Sequence, residues 1–293
     1  MEEKPSFPPN VALLVSIVAV STASILIRMS DAGPLAIAAY RLIFATIILL
    51  PFFLRSGGFK RLIDSSRMDL LTLIGVGFVL AFHFASWISS LNFTSVASSV
   101  LFVHIDPIFV AAVSHFILKE RINRSTLLGI VIAFAGTSII ALGDVVTGKT
   151  NLYGDLLALI GAIMLGIYIL SGRRIRQNLD LVSYVTPVYA TSALVLTVGC
   201  LVTGTRLTPY PPREYLLFFA IAVVPMIFGH TVYNWALKYV SAPVVSISLL
   251  GEPVGATILA FLFLNEMPTL PTIIGGVITL AGIYMCARST PSN

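Results

Sequence analysis

LNFTSVASSVLFVHIDPIFVAAVSHFILKE, residues 91–120, returns 146 residues later as LKYVSAPVVSISLLGEPVGATILAFLFLNE, residues 237–266. The register stays locked into the following run. Leu91/Leu237, Ser95/Ser241, Pro107/Pro253, Glu120/Glu266, Gly129/Gly275, Val131/Val277, Ile132/Ile278, Ala135/Ala281 and Gly136/Gly282 are identical, and Asp106 faces Glu252. An ungapped match of that length marks an internal duplication, so each half is one structural unit. The halves divide as residues 1–146 and 147–293.

Composition sets the medium. The 293 residues are 57% hydrophobic and 11% charged, against about 25% charged in a soluble domain, and the mean hydropathy is +0.96. Apolar runs long enough to cross about 30 Å of hydrocarbon recur throughout, which makes this an all-α membrane protein. Ten spans are expected, at 11–28, 34–54, 69–90, 94–118, 125–143, 154–172, 182–203, 214–238, 242–264 and 270–288, five in each copy. The N-terminal Glu2, Glu3 and Lys4 lack the basic character of a secretory leader, so the first run is read as a retained span. Cys200 and Cys286 both lie in apolar runs and offer neither a disulfide framework nor a thiolate metal site; no cofactor is expected.

The isoelectric point near 9.3 comes from lysines and arginines scattered in short loops, which encodes topology rather than nucleic-acid binding. Lys4, Arg55, Lys60, Arg61, Arg67, Lys119, Arg121, Arg124, Arg173, Arg174, Arg176, Lys238 and Arg288 fall on the side of the N-terminus. Only Arg28, Lys149, Arg206 and Arg213 fall on the other, so both termini are expected in the cytoplasm of a bacterial-type inner membrane. An odd number of spans per copy forces the second copy to enter from the opposite face. Two inverted five-helix repeats related by an axis in the membrane plane are the architecture by which secondary transporters alternate their access.

Ten spans, a five-plus-five repeat, an acid–proline step at Asp106-Pro107 and Glu252-Pro253, and Glu120 and Glu266 ahead of a glycine-rich last helix resemble the EamA-like branch of the drug/metabolite transporter superfamily. The run Ala39-Tyr40-Arg41-Leu42-Ile43-Phe44-Ala45 also resembles its arginine-containing second span, although the counterpart near Pro187 has no arginine and copy one carries aspartate where glutamate is commoner. The resemblance implies a secondary exporter of small organic metabolites, amino acids and aromatic ones among them, working through a central cavity between the repeats.

Several residues could line such a cavity. Asp106 and Glu252 sit near the middle of their spans, where a carboxyl is costly unless it faces water or partners. Pro107 and Pro253 each remove a backbone donor and bend the helix beside them. These four are candidates for coupling or gating, with packing by a protonated carboxyl as the plainer alternative. His83 and Trp87, four apart, share a face of span 3; the repeat relates Trp87 to Tyr233, which has His230 nearby. With Ser99, Phe102, Tyr168 and Ser246 they form the candidate substrate-binding set, the aromatics equally suited to an interfacial belt. Arg41 reads as snorkelling outward or pairing with Asp31.

Neither a nucleophile–base constellation nor a metal-ligand spacing points to an enzyme. A lipid or amphiphile flippase is the alternative of another class. An exchanger of phosphorylated metabolites would need several embedded cations, and Arg41 is the one such residue. The expected partners are a small-molecule substrate and the bilayer, not nucleic acid, and a monomer is the working expectation.

Overall fold

An apolar run surrounded by hydrocarbon must satisfy its own peptide groups, and the helix does this within a single segment. The computed structural model describes residues 5–94, 96–119, 123–145, 152–264, 267 and 270–289, and the regular structure in them is helical. Seven helical stretches among the described residues are long and apolar enough to cross a membrane: Pro9–Arg28, Pro34–Arg55, Arg67–Ser90, Leu152–Ile175, Leu181–Thr203, Pro212–Ala236 and Ala242–Phe263. Ser95, Glu120 and Glu266 of the repeat pairs, the basic residues Lys4, Arg121 and Lys149, and the boundary at 146/147 lie outside the described residues.

In chain order the elements are α1 (Pro9–Ser21), α2 (Ala23–Arg28), α3 (Pro34–Arg55), the short α4 (Gly58–Asp64), α5 (Arg67–Ser90), α6 (Val96–Val103), α7 (Asp106–Phe116) and α8 (Arg124–Val145). The second half continues with α9 (Leu152–Ile175), α10 (Leu181–Thr203), α11 (Pro212–Ile221), a π-helical segment (Ala222–Thr231), α12 (Val232–Ala236), α13 (Ala242–Leu249), α14 (Gly251–Leu264) and α15 (Leu270–Ser289). Local chemistry sets the ends. Ser66 caps α5, its hydroxyl accepting from the Asp69 N–H at 3.1 Å and donating to the Asp69 carboxylate at 2.7 Å. Asp180 caps α10 through the Ser183 N–H at 3.0 Å, and α10 closes on Gly204 in the left-handed region.

Polarity is distributed inside out. Leu14, Val18, Phe82, Val131, Leu194 and Val202 are exposed, whereas Ser16, Ser24, Arg41, His83, Asp106 and Asn234 are buried. Such a surface is stable only against lipid, where hydrophobicity no longer separates the core from the exterior and packing and internal hydrogen bonds do.

Four of the expected spans are not uniform helices. The run expected at 94–118 parts between Val103 and Asp106, and that at 242–264 parts at Leu250, each just ahead of the acid–proline step. Proline disfavours helical geometry in the residue before it and supplies no N–H to the turn behind it, so the chain restarts with the proline in the new first turn. The first run breaks at Thr22, where the hydroxyls of Ser21 and Thr22 donate back to the carbonyls of Ile17 and Ala19, both at 2.7 Å. The run at 214–238 widens into the π-helix around Pro225.

α8 packs along α15 through a reciprocal contact between small residues. A Cβ on Gly136 would lie 2.4 Å from the Thr279 nitrogen and 2.6 Å from the Gly275 oxygen; one on Gly282 would lie 2.4 Å from the Ala133 nitrogen and 2.6 Å from the Gly129 oxygen. Each glycine thus meets the backbone of the other's helix at repeat-matched positions. Gly136→Ala and Gly282→Ala should therefore each destabilise the detergent-solubilised protein by about 1–3 kcal/mol in thermal unfolding. Gly75→Ala and Gly199→Ala, with no atom within 4 Å of the added carbon, should leave the midpoint unchanged or raise it slightly.

Candidate functional site

Segments of both halves converge on one cavity of about 20 Å³, room for about one water molecule. α3 carries Arg41 into it. Ala38, Ala39 and Ala45 on the same helix are fully buried, and their small side chains leave room for a guanidinium in the packed interior. Arg41 is itself fully buried, its guanidinium carbon 4.2 Å from the centre of the Phe84 ring and its Nε donating to the Met226 sulfur at 3.3 Å. Nη1 and Nη2 have no hydrogen-bond partner among the described residues. The expectation that Arg41 snorkels or pairs with Asp31 fails: Asp31 is 3.6 Å from Arg213 at the protein surface. Phe84 holds the guanidinium by cation–π attraction, which strengthens as water is removed.

α5 contributes His83 and Trp87, one turn apart, with rings nearly parallel at 6.1 Å. His83 Nδ1 donates to the Gly161 carbonyl at 2.9 Å, so the neutral ring carries its lone pair on Nε2. Trp87 is buried rather than placed in a surface belt, and its Nε1 has no partner among the described residues. Gly161 on α9 lets the tryptophan approach; a Cβ there would stand 3.2 Å from that of Trp87.

The two broken helices supply the acid side. His104, in the gap between α6 and α7, donates from Nδ1 to the Val100 carbonyl at 2.9 Å and turns Nε2 toward Glu252 Oε2 at 3.4 Å. Glu252 lies in the first turn of α14, where the positive end of the helix dipole favours a carboxylate. Among the described residues no group of three or more His, Cys, Asp or Glu side chains could hold a metal ion.

The second half adds His230 from the π-helix and Tyr233 from α12, joined by a 2.6 Å hydrogen bond between the phenol and His230 Nδ1. His230 also sits 5.1 Å from the Phe84 ring and 6.2 Å from that of His83. Val20, Ala23, Val103, Leu165 and Leu249 complete the wall.

Of the residues anticipated from sequence, His83, Trp87, His230, Tyr233 and Glu252 meet at this cavity. Tyr168 lies behind them, fully buried, accepting from Asn234 Nδ2 at 2.9 Å. Ser99 is buried against Ser90 at 2.6 Å and ties α6 to α5; Phe102 is half-buried on α6. Asp106 and Ser246 are not in the wall: the Ser246 hydroxyl donates to the Asp106 carboxylate, fastening α13 to the first turn of α7. Pro107 and Pro253 are buried in the first turns of α7 and α14. Arg41 and His104 are wall residues that the sequence reading left out of the site. An arginine within an apolar run was the available signal for the first.

The chain matches the EamA-like transporter family twice, over residues 9–142 and again over residues 152–288. It belongs to that family. An uncharacterised transporter of Archaeoglobus fulgidus is 25% identical over 279 residues, covering 94% of each chain. The uncharacterised transporter YxxF of Bacillus subtilis is 24% identical over 84% of this chain and 78% of its own, and an uncharacterised transporter of Clostridium kluyveri is 26% identical over 80% and 78%. One crystal structure shares the fold with a TM-score of 0.79 at 16% identity, covering 97% of this chain and 99% of that one. The protein is thus a multi-pass membrane protein of a transporter family.

The bond between Asp106 and Ser246 is a cross-half tie that a double-mutant cycle can measure. Ser246→Ala leaves a buried carboxyl without its hydroxyl donor and should cost about 1–3 kcal/mol in unfolding of the detergent-solubilised protein. Asp106→Asn together with Ser246→Ala should cost less than the sum of the single changes, by about 0.5–3 kcal/mol.

Proposed function

Taking membership of the EamA-like transporter family as the premise, we propose that the protein is a secondary transporter that exports small organic metabolites, amino acids including aromatic ones, from the cytoplasm by alternating access. The observation that carries this reading is the small cavity, lined by both charged and apolar side chains, that both halves wall at the breaks of two bent helices. Rings at Trp87, Tyr233, His83 and His230 suit an aromatic or apolar side chain, while Arg41 and Glu252 offer one charge of each sign to a zwitterion. In this reading ten helices form two inverted five-helix repeats, with both termini cytoplasmic in a bacterial-type inner membrane. The double family match and the reciprocal contact of α8 with α15 support the repeats; the bias of basic loop residues supports the orientation. Glu252, 3.4 Å from His104, is in this reading the candidate for coupling or gating.

The cavity has room for about one water, so in this reading substrate enters only when the helices around it separate. A phosphorylated-metabolite exchanger is disfavoured because, among the described residues, Arg41 is the single lysine or arginine in the wall. One observation favours a flippase as second reading. An apolar crevice of about 340 Å³, lined by Phe7, Val15, Leu181, Ile227, Phe228 and Trp235, opens on the flank of the protein and is large enough for part of an acyl chain.

Counterflow in proteoliposomes separates the two. Labelled phenylalanine and threonine should accumulate in vesicles preloaded with the same amino acid, and head-group-labelled phospholipid should not exchange between leaflets. Trp87→Ala should weaken phenylalanine about 2–13-fold, the effect of losing about 0.5–1.5 kcal/mol of aromatic contact, and threonine less. Yield in the membrane identifies a folding defect. Lipid exchange without amino-acid counterflow would overturn the proposal in favour of the flippase.

A further inference from the structure

Arginine is an expensive residue to bury, and Arg41 is buried with half of its chemistry unspent. The Nε–H meets the Met226 sulfur and the flat face meets Phe84, yet the forked edge, Nη1 and Nη2, has no partner among the described residues. That edge belongs to a residue lining the central cavity. Trp87 lines the same cavity, and its Nε1 is a second buried donor without a partner there. Unpaired buried donors cost more than most pairs contribute, so a fold that keeps two of them on one cavity wall is matched to an acceptor that arrives. The opposite charge within the wall, Glu252, is held at 3.4 Å by His104.

We infer that Arg41, assisted by Trp87 Nε1, is the recognition site for a substrate carboxylate, and that Glu252 beside His104 receives the substrate's cationic end. This deepens, and rests on, the transport reading given above. A planar carboxylate matches the guanidinium fork, two parallel N–H···O bonds that a point-like cation cannot reproduce. A dianionic phosphate does not match, because one guanidinium facing one carboxylate leaves the wall without the excess positive charge it would require. A substrate with a free carboxylate is therefore selected over its amide or amine.

The test uses the detergent-purified full-length wild type and four probes: L-phenylalanine, L-phenylalaninamide, 2-phenylethylamine and 3-phenylpropionate. Thermal stabilisation is titrated for each, and the same compounds compete with labelled phenylalanine in counterflow. Phenylalanine should bind at least tenfold more tightly than the amide or the amine, with phenylpropionate between them. Arg41→Lys, checked for monodispersity, should lose at least tenfold toward phenylalanine and phenylpropionate and less than twofold toward phenylethylamine. Should that variant fail to fold, the wild-type ranking decides alone. Equal binding of phenylalanine and its amide overturns the inference while leaving transport intact. Binding of the carboxylates without flux overturns the transport reading and leaves the inference standing. No stabilisation by either carboxylate overturns the inference as well.

Discussion

A guanidinium enclosed by apolar helices is the constraint on which the rest of this structure depends. Moving a charge out of water costs several kcal/mol even after the surroundings relax, so Arg41 can stay inside only where other groups share the burden. The structure supplies them from three directions: the Phe84 ring beneath, the Met226 sulfur on one edge, and the Glu252 carboxylate in the wall of the same cavity. Each lies on a different helix. The position of one side chain on α3 therefore fixes where α5, the π-helix and the first turn of α14 must meet.

The breaks in the helices follow from the same requirement. A continuous helix would bury the backbone at mid-span and present only side chains; a helix restarted at Asp106 or Gly251 places the positive end of a helix dipole in the interior. Acidic side chains occupy both of these ends, Asp106 tied to Ser246 and Glu252 to His104. α8 and α15 meet backbone to backbone at Gly136 and Gly282, and the Thr279 hydroxyl donates across the contact to the Ala133 carbonyl at 3.4 Å.

Much of this was legible in the sequence because it depends on residue types with few options. Proline at 107 and 253 decided where two spans break, and Gly136 and Gly282 stood out as repeat-matched small residues. Trp87, Tyr233, His83 and His230 were recognisable as a group through the repeat and helical spacing. Arg41 was read as snorkelling or pairing with Asp31 because α3 is apolar on nearly every face and periodicity gave no inward direction, and His104 falls in the gap between α6 and α7, where helical spacing does not apply. Their partners, Met226 and Glu252, are also far away in sequence. The π-helix was missed for a related reason: an i→i+5 turn leaves no mark on composition beyond Pro225, yet it sets where His230 points. Asp106 looked equivalent to Glu252 by the repeat, but the structure bonds it to Ser246 outside the cavity wall.

The central claim is that the cavity between the halves is the place where substrate passes. Val103 and Leu249 are a repeat-related pair in its wall, one from each half. Single cysteines at these positions, in a background lacking Cys200 and Cys286, can be challenged with a membrane-impermeant thiol reagent applied from either face of a sealed proteoliposome. The account predicts labelling from both faces at both positions, slowed by L-phenylalanine in proportion to its occupancy. Labelling unaffected by phenylalanine in a variant that still transports it would contradict the account.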